Sequence, residues 1–148
     1  MNFVSTLAIR IYYEDTDCGG VVYHANYLRY FERGRTEFLR ELGIDLTTYH
    51  SQGTAPTIVE ANVKYKRAAR YNDLLTVLTS IKELGPVSMI FRQEIVRGEE
   101  LIATGELMVV CMKISSGAPT RMPPEMVRAF QTRVSTSDTS PPAQDACP

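Results

Sequence analysis

Apolar side chains in this chain change their spacing twice, and each change marks an element boundary. From Phe3 to Tyr13, β-branched and aromatic residues crowd an uneven alternation, which predicts a strand. A polar, glycine-containing break follows from Glu14 to Gly20, and Val21 to His24 leads out of it. Large apolar residues then fall at Tyr27, Tyr30, Phe31, Phe38, Leu39 and Leu42, the three-to-four spacing of one helix face. Asn26 is the expected N-cap and Gly43 the left-handed residue past the C-terminus, giving a helix of roughly 16 residues, about 24 Å long. Gly34 interrupts the apolar face at a cost of about 1 kcal/mol relative to alanine, so another backbone is expected to press against the helix there.

After a loop expected around His50 to Pro56, the period becomes two. Val59, Ala61, Val63 and Tyr65 alternate with Glu60, Asn62, Lys64 and Lys66, which predicts one inward face and one solvated face. Leu75, Val77, Thr79 and Ile81 repeat the pattern, Gly85 and Pro86 punctuate, and Val87, Met89, Phe91 and Ile95 resume it. Gly98 turns the chain into the longest strand, Leu101 to Lys113. One strand, one long helix and four antiparallel strands make an α+β chain, read as an antiparallel five-stranded sheet wrapped around a long central helix. A short helix is expected from Pro124 to Val134 with proline at its first position. Residues 1–134 are read as one domain, and Ser135 to Pro148, rich in Ser, Thr and Pro, as a disordered tail.

Length and charge narrow the function. A chain of 148 residues supports one well-buried core. A formal net charge of -1 gives no global field to draw it onto nucleic acid or an anionic membrane, so any anion site must be local. The N-terminus lacks the charged start, apolar stretch and cleavage site of a signal peptide, and no apolar run approaches the roughly 18 residues of a membrane span. Cys18, Cys111 and Cys147 are odd in number and lack metal-ligand spacing, which argues against a disulfide framework or a zinc site and for a reducing, cytoplasmic setting.

The chemistry concentrates in YYEDTDCGGVVYHANYLRYFERGRTEFLRELGI, Tyr12 to Ile44. It joins a strand end, a tight glycine loop and a helix start, where orphan N–H groups and the helix dipole stabilise a developing oxyanion. Asp15 and Asp17 also suit plain turn capping. A lone histidine such as His24 is more often a satisfied core residue than a catalyst. Tyr23, Tyr27, Tyr30 and Phe31 read as core and dimer packing. Glu32, Arg33 and Arg35 read as a solvated face or a local ion pair.

The stretch YYEDTDCGGVVYHANYLRYFERGRTEFL, supported by VEANVKYKRAARYNDLL, resembles the hot-dog-fold thioesterases related to 4-hydroxybenzoyl-CoA thioesterase, most closely the Tol-Pal-associated acyl-CoA thioesterases. The resemblance extends through Lys113. It implies the hot-dog fold and hydrolysis of an acyl-CoA or acyl-carrier-protein thioester without a metal or cofactor. Asp17 falls at the family's catalytic carboxylate, as nucleophile or general base, and His24, seven positions on, at the residue whose backbone N–H polarises the carbonyl. Asp15 is left to turn capping. A homodimer with sites built from both chains, or a homotetramer, is also implied. Cys18 with His24 offers a nucleophile and base pair, but the family often carries alanine at that cysteine's place.

Lys64, Lys66, Arg67 and Arg70 form a short basic run that reads as a solvent face with lysines guarding the sheet, against a reading in which Lys66 and Arg67, or Lys113 and Arg121 after the last strand, meet the CoA phosphates. Phe31, Met89 and Met108 are candidates for the end of an acyl pocket. Two other functions share the motif: a hot-dog hydratase or dehydratase, and a non-catalytic module that binds acyl-CoA or a cell-envelope partner. Release of free thiol from an acyl-CoA separates the thioesterase from the hydratase, and the binding module predicts binding without turnover.

Overall fold

The structure is a computed structural model and describes residues 3–134; the tail expected over 135–148 lies outside the described residues. Strand β1 spans Ser5–Arg10, helix α1 Asn26–Glu41, helix α2 Leu46–Ser51, strand β2 Thr54–Tyr65, β3 Leu74–Leu84, β4 Ser88–Arg97, β5 Glu100–Lys113, and helix α3 Pro124–Gln131. The strands form one antiparallel sheet in the order β1-β3-β4-β5-β2. The one-strand, one-helix, four-strand order expected from the spacing is the order observed.

Helix α1 forms where the three-to-four pattern lies, and its apolar stripe faces the sheet. Tyr27, Tyr30, Phe31 and Phe38 are buried, each contributing about 1.5–3 kcal/mol by removal from water. The helix ends at Gly43, whose φ of 72° takes the left-handed geometry expected of it. Asn26 is not the N-cap: it is the first helical residue, and its Nδ2 donates to the carbonyl of Asp15 at 2.9 Å. The capping position belongs to Ala25, which brings no side-chain acceptor.

Gly34 is needed for close approach, but to side chains and not to backbone. A Cβ there would lie 2.8 Å from Thr79 Oγ1 and from Val77 Cγ1, and 3.0 Å from Gln93 Nε2. Beside it, of the two roles expected of Arg35, a solvated face or a local ion pair, the second is the one observed. Arg35 is buried, ion-pairs with Glu32, and donates through Nη1 to Gln93 Oε1 at 2.9 Å. Gln93 in turn donates to Phe31 O at 2.8 Å and Thr79 Oγ1 at 2.9 Å. This polar layer divides the core. On one side Phe31, Val77, Ile95 and Leu107 pack together; on the other, Phe38, Ile81, Phe91 and Val109.

Two further expectations change. The stretch read as a loop from His50 begins inside α2, capped by Asp45, whose carboxylate accepts from Thr47 N at 2.9 Å, and β2 is already under way at Thr54. In β2 the alternation is present but the burial is not, because this strand is a sheet edge. A bulge lies between Ile58 and Glu60, so Ile58 pairs with Val109 and Ala61 with Leu107 on the same face. Ile58, Val59 and Tyr65 remain 41%, 48% and 48% exposed. Among the described residues no helix is long and apolar enough to cross a membrane.

Candidate active site

The residues between β1 and α1 fold into a hairpin stitched onto the start of the helix. A single 3-10 turn, Tyr13–Asp15, opens it, and Asp15 Oδ2 closes that turn by accepting from Tyr12 N at 2.7 Å. The carbonyl of Asp15 then accepts from Tyr23 N at 2.9 Å as well as from Asn26. Asp15 is thereby occupied with structure, as its turn-capping assignment expects. Its carboxylate also lies near the buried Tyr30 hydroxyl, outside hydrogen-bond geometry. Burial, with Asp15's charge second, drives the Tyr30 phenol well above its ordinary pKa, so it stays protonated.

Asp17 sits at the hairpin tip. Its N–H donates to Val21 O at 3.0 Å, its carbonyl accepts from Gly20 N at 3.0 Å, and Thr16 bridges Val22. Oδ1 accepts from Gly19 N at 2.8 Å. A side chain at position 19 would bring a Cβ within 3.1 Å of that oxygen, and Gly20 holds φ at 77°, so both glycines serve the turn that presents the carboxylate. Asp17 is exposed in the single chain, with its second oxygen engaged by no described residue.

His24 lies where the hairpin enters α1. Its ring is exposed, 4.7 Å from the Tyr23 ring and 6.3 Å from that of Tyr65. Its carbonyl accepts from Tyr65 Oη at 3.0 Å, while its backbone N–H has no partner among the described residues. That N–H stands two residues ahead of Asn26, near the electropositive end of a 16-residue helix. Tyr65 went unrecognised in the sequence as a contributor here. Its place in the strand alternation signals an inward ring, but nothing in the spacing shows that the end of β2 meets the start of α1. Tyr23, read as packing, is 47% exposed.

The four cations fall at two places. Lys66 and Arg67 follow β2 at the end that holds Tyr65, and both backbone N–H groups donate to Ile102 O. Arg67 Nε lies 3.8 Å from Glu100. Lys113 pairs with Thr54 at the opposite end of β2, and Arg121 precedes Met122, which is bonded to Pro86 O. Eleven strand residues at about 3.4 Å each separate the ends by on the order of 35 Å, so within one chain the two pairs do not meet a common phosphate. Cys18 and Cys111 are free thiols, the first exposed and the second buried. Among the described residues no group of His, Cys, Asp and Glu has metal-holding geometry.

A five-stranded antiparallel sheet curled on one long helix, with an acid-bearing hairpin at that helix's start, is the hot-dog fold in the form used by thioester hydrolases. The profile of the Thioesterase-like superfamily matches residues 12–130, and the chain belongs to that family. It is 38% identical over 123 residues to an acyl-CoA thioesterase, YbgC, of Haemophilus influenzae, covering 82% of this chain and 90% of that one. An acyl-CoA thioester hydrolase, also YbgC, of Escherichia coli is 37% identical over 124 residues, covering 83% and 92%. Among solved structures, a probable thioesterase from Bartonella henselae superposes with a TM-score of 0.77 at 34% identity, covering 82% of this chain and all of that one. A DHNA-CoA thioesterase from Staphylococcus aureus superposes at 0.83 with 28% identity, covering 87% and 89%.

Proposed function

We propose that this protein hydrolyses acyl-CoA thioesters, with the Asp17 carboxylate attacking the carbonyl or activating the water that does, and the His24 backbone N–H polarising the carbonyl oxygen. The observation that carries this reading is the hairpin itself. It presents a solvent-facing carboxylate whose second oxygen has no partner among the described residues, seven positions before His24, whose backbone N–H at the entry to α1 has none among them either. Water adds to the acyl carbon, the C–S bond breaks, and CoA leaves as a thiolate without an acid's help, because a thiol is far more acidic than an alcohol. The thioesterase names of the relatives agree with a CoA thioester as substrate.

The exposed β2 edge and the open Asp17 carboxylate both suit a homodimer, in which a second copy pairs along β2 and walls each site. A homotetramer is the next assembly of such dimers. Lys66 and Arg67 lie at the end of the sheet nearer the site and are assigned to CoA phosphate in preference to Lys113 and Arg121. A soluble, cytoplasmic enzyme fits this substrate.

Thiol release from acyl-CoA, followed with a thiol-reactive dye, tests the reading. Asp17→Asn is expected to lose about 10²–10⁴-fold in kcat, while Cys18→Ala stays within a few-fold of wild type. The opposite pattern would transfer the chemistry to the cysteine. A hydratase would leave every thioester intact.

A further inference from the structure

An apolar cavity of about 130 Å³ lies in the half of the core beyond the polar layer. Its floor is the α3 region, with Met122, Met126 and Phe130, and its walls include Met89 and Cys111. A second, open groove runs between α1 and β2, past Leu28, Ala61 and Leu107. The two spaces share Glu32, Arg35 and Ile58 in their linings, so they are neighbours along α1, and opened to one another they would make a channel from near the helix N-terminus to α3. Of the candidates for a pocket end, Met89 lines the cavity; Phe31 and Met108 do not.

We infer that this channel takes the acyl chain of the substrate, with Met126 of α3 setting its maximum length; the inference rests on the thioesterase reading above. The geometry selects the chemical class. Glu32 and Arg35 lie six and nine residues into α1, about 9–14 Å along the helix from Asn26. An extended chain advances about 1.2 Å per bond, so roughly 8–11 bonds separate a carbonyl at the helix start from the cavity mouth. A ring bonded directly to the carbonyl stops short of that mouth; a medium to long alkyl chain reaches it. Once inside, the terminal carbons fill a space a little smaller than the roughly 150 Å³ apolar cavity that accommodates benzene. Methionine suits the floor because its unbranched thioether adapts to different chain ends.

The test compares kcat/KM for butyryl-, decanoyl-, dodecanoyl- and tetradecanoyl-CoA in wild type, Met126→Trp and Met126→Ala. Each methylene removed from water is worth about fourfold in preference. Filling the floor with tryptophan is expected to lower the dodecanoyl-to-butyryl ratio at least tenfold, and Met126→Ala to raise the tetradecanoyl-to-decanoyl ratio several-fold. Should Met126→Trp fail to fold, the alanine variant decides alone. Ratios that stay within twofold of wild type, or a wild type that prefers butyryl-CoA, overturn the inference and leave the thioesterase reading standing. A wild type that releases thiol from no acyl-CoA overturns both.

Discussion

Gln93→Leu perturbs the polar layer that separates the two halves of the core. The substitution keeps the side-chain volume close to that of glutamine and removes three hydrogen bonds from a fully buried position. Phe31 O retains its helical donor, so that loss is small. Thr79 Oγ1 loses a donor in a fully buried site, worth about 1 kcal/mol, and the Arg35 guanidinium loses a bond worth about 1.5–3 kcal/mol because the donor is charged. Burial already pulls the Arg35 pKa down, against the support of Glu32, so the cation has little solvent to fall back on. The expected cost is about 2–4 kcal/mol, or about 6–12 °C in Tm for a domain of this size. Urea unfolding followed by circular dichroism, at one fixed protein concentration, reads it directly. Replacing both partners, Arg35→Met with Gln93→Leu, is expected to be at least 1 kcal/mol more stable than the sum of the singles, because no buried charge is then left unpaired. A single Gln93→Leu variant within 0.5 kcal/mol of wild type at unchanged m-value would refute the claim that Arg35 depends on this amide.

Two other perturbations bear on the frame around the site. Tyr65→Phe removes the hydroxyl that holds the His24 carbonyl at 3.0 Å; stability should change by less than about 1 kcal/mol, while kcat for thioester hydrolysis falls about tenfold as the helix entry loosens, and an unchanged kcat would show that the entry is held without it. Asp73 opposes burial with a bond from Arg70 N at 2.8 Å and one from Arg97 Nη1 at 2.7 Å, which together outweigh burial and hold its carboxyl below the ordinary value. A lowered folded pKa gives stability that is complete above the unfolded value of about 4 and lost as pH falls through the folded one. Asp73→Asn is therefore expected to cost about 1 kcal/mol at pH 7, discounted for partial exposure, with the gap to wild type closing under acid; a gap that persists at low pH would assign the loss to packing.

What the sequence revealed depended on how local the cause was. Helix α1 and the five strands are set by spacing within each segment, and both were legible. Helix α2 was not, because six residues reading LTTYHS carry no apolar period, and its stop and start depend on the Asp45 cap. The alternation of β2 gave the strand and its faces but not its exposure, since burial depends on being the fifth and outermost member of the sheet. The ion pair of Arg35 with Glu32 was legible because it is local, but the burial of Arg35 was not, because Gln93, facing it from β4, lies 58 positions away. At the site, the motif pointed to Asp17 and His24, whose catalytic roles are the proposal made above. The hairpin bonds that bring their segments together, and the Tyr65 hydroxyl, come from the tertiary fold. The two cation pairs looked alike as charge patterns and differ only in which end of β2 they flank.

The polar layer also explains how a site made from a loop is positioned against a sheet. Apolar surfaces slide past one another at little cost, so a helix lying on a smooth apolar sheet has several near-equal depths. Here a shift of α1 by one turn, about 5.4 Å, would carry Arg35 off Gln93 and set it against Ile81 or Val77, the apolar neighbours of Thr79 along the inward face of β3. It would also move Gly34 out of the gap between Val77 and Thr79 and drive a larger side chain into it. Arg35 would keep Glu32, which moves with the same helix, but lose its buried amide acceptor at a cost of about 1.5–3 kcal/mol, so a single depth is favoured. Fixing α1 at that depth fixes its first turn, and the bonds from Asn26 and Tyr23 to Asp15 then carry the hairpin with it. The position of the Asp17 carboxylate is in this way determined by residues in the middle of the sheet that touch no part of the hairpin.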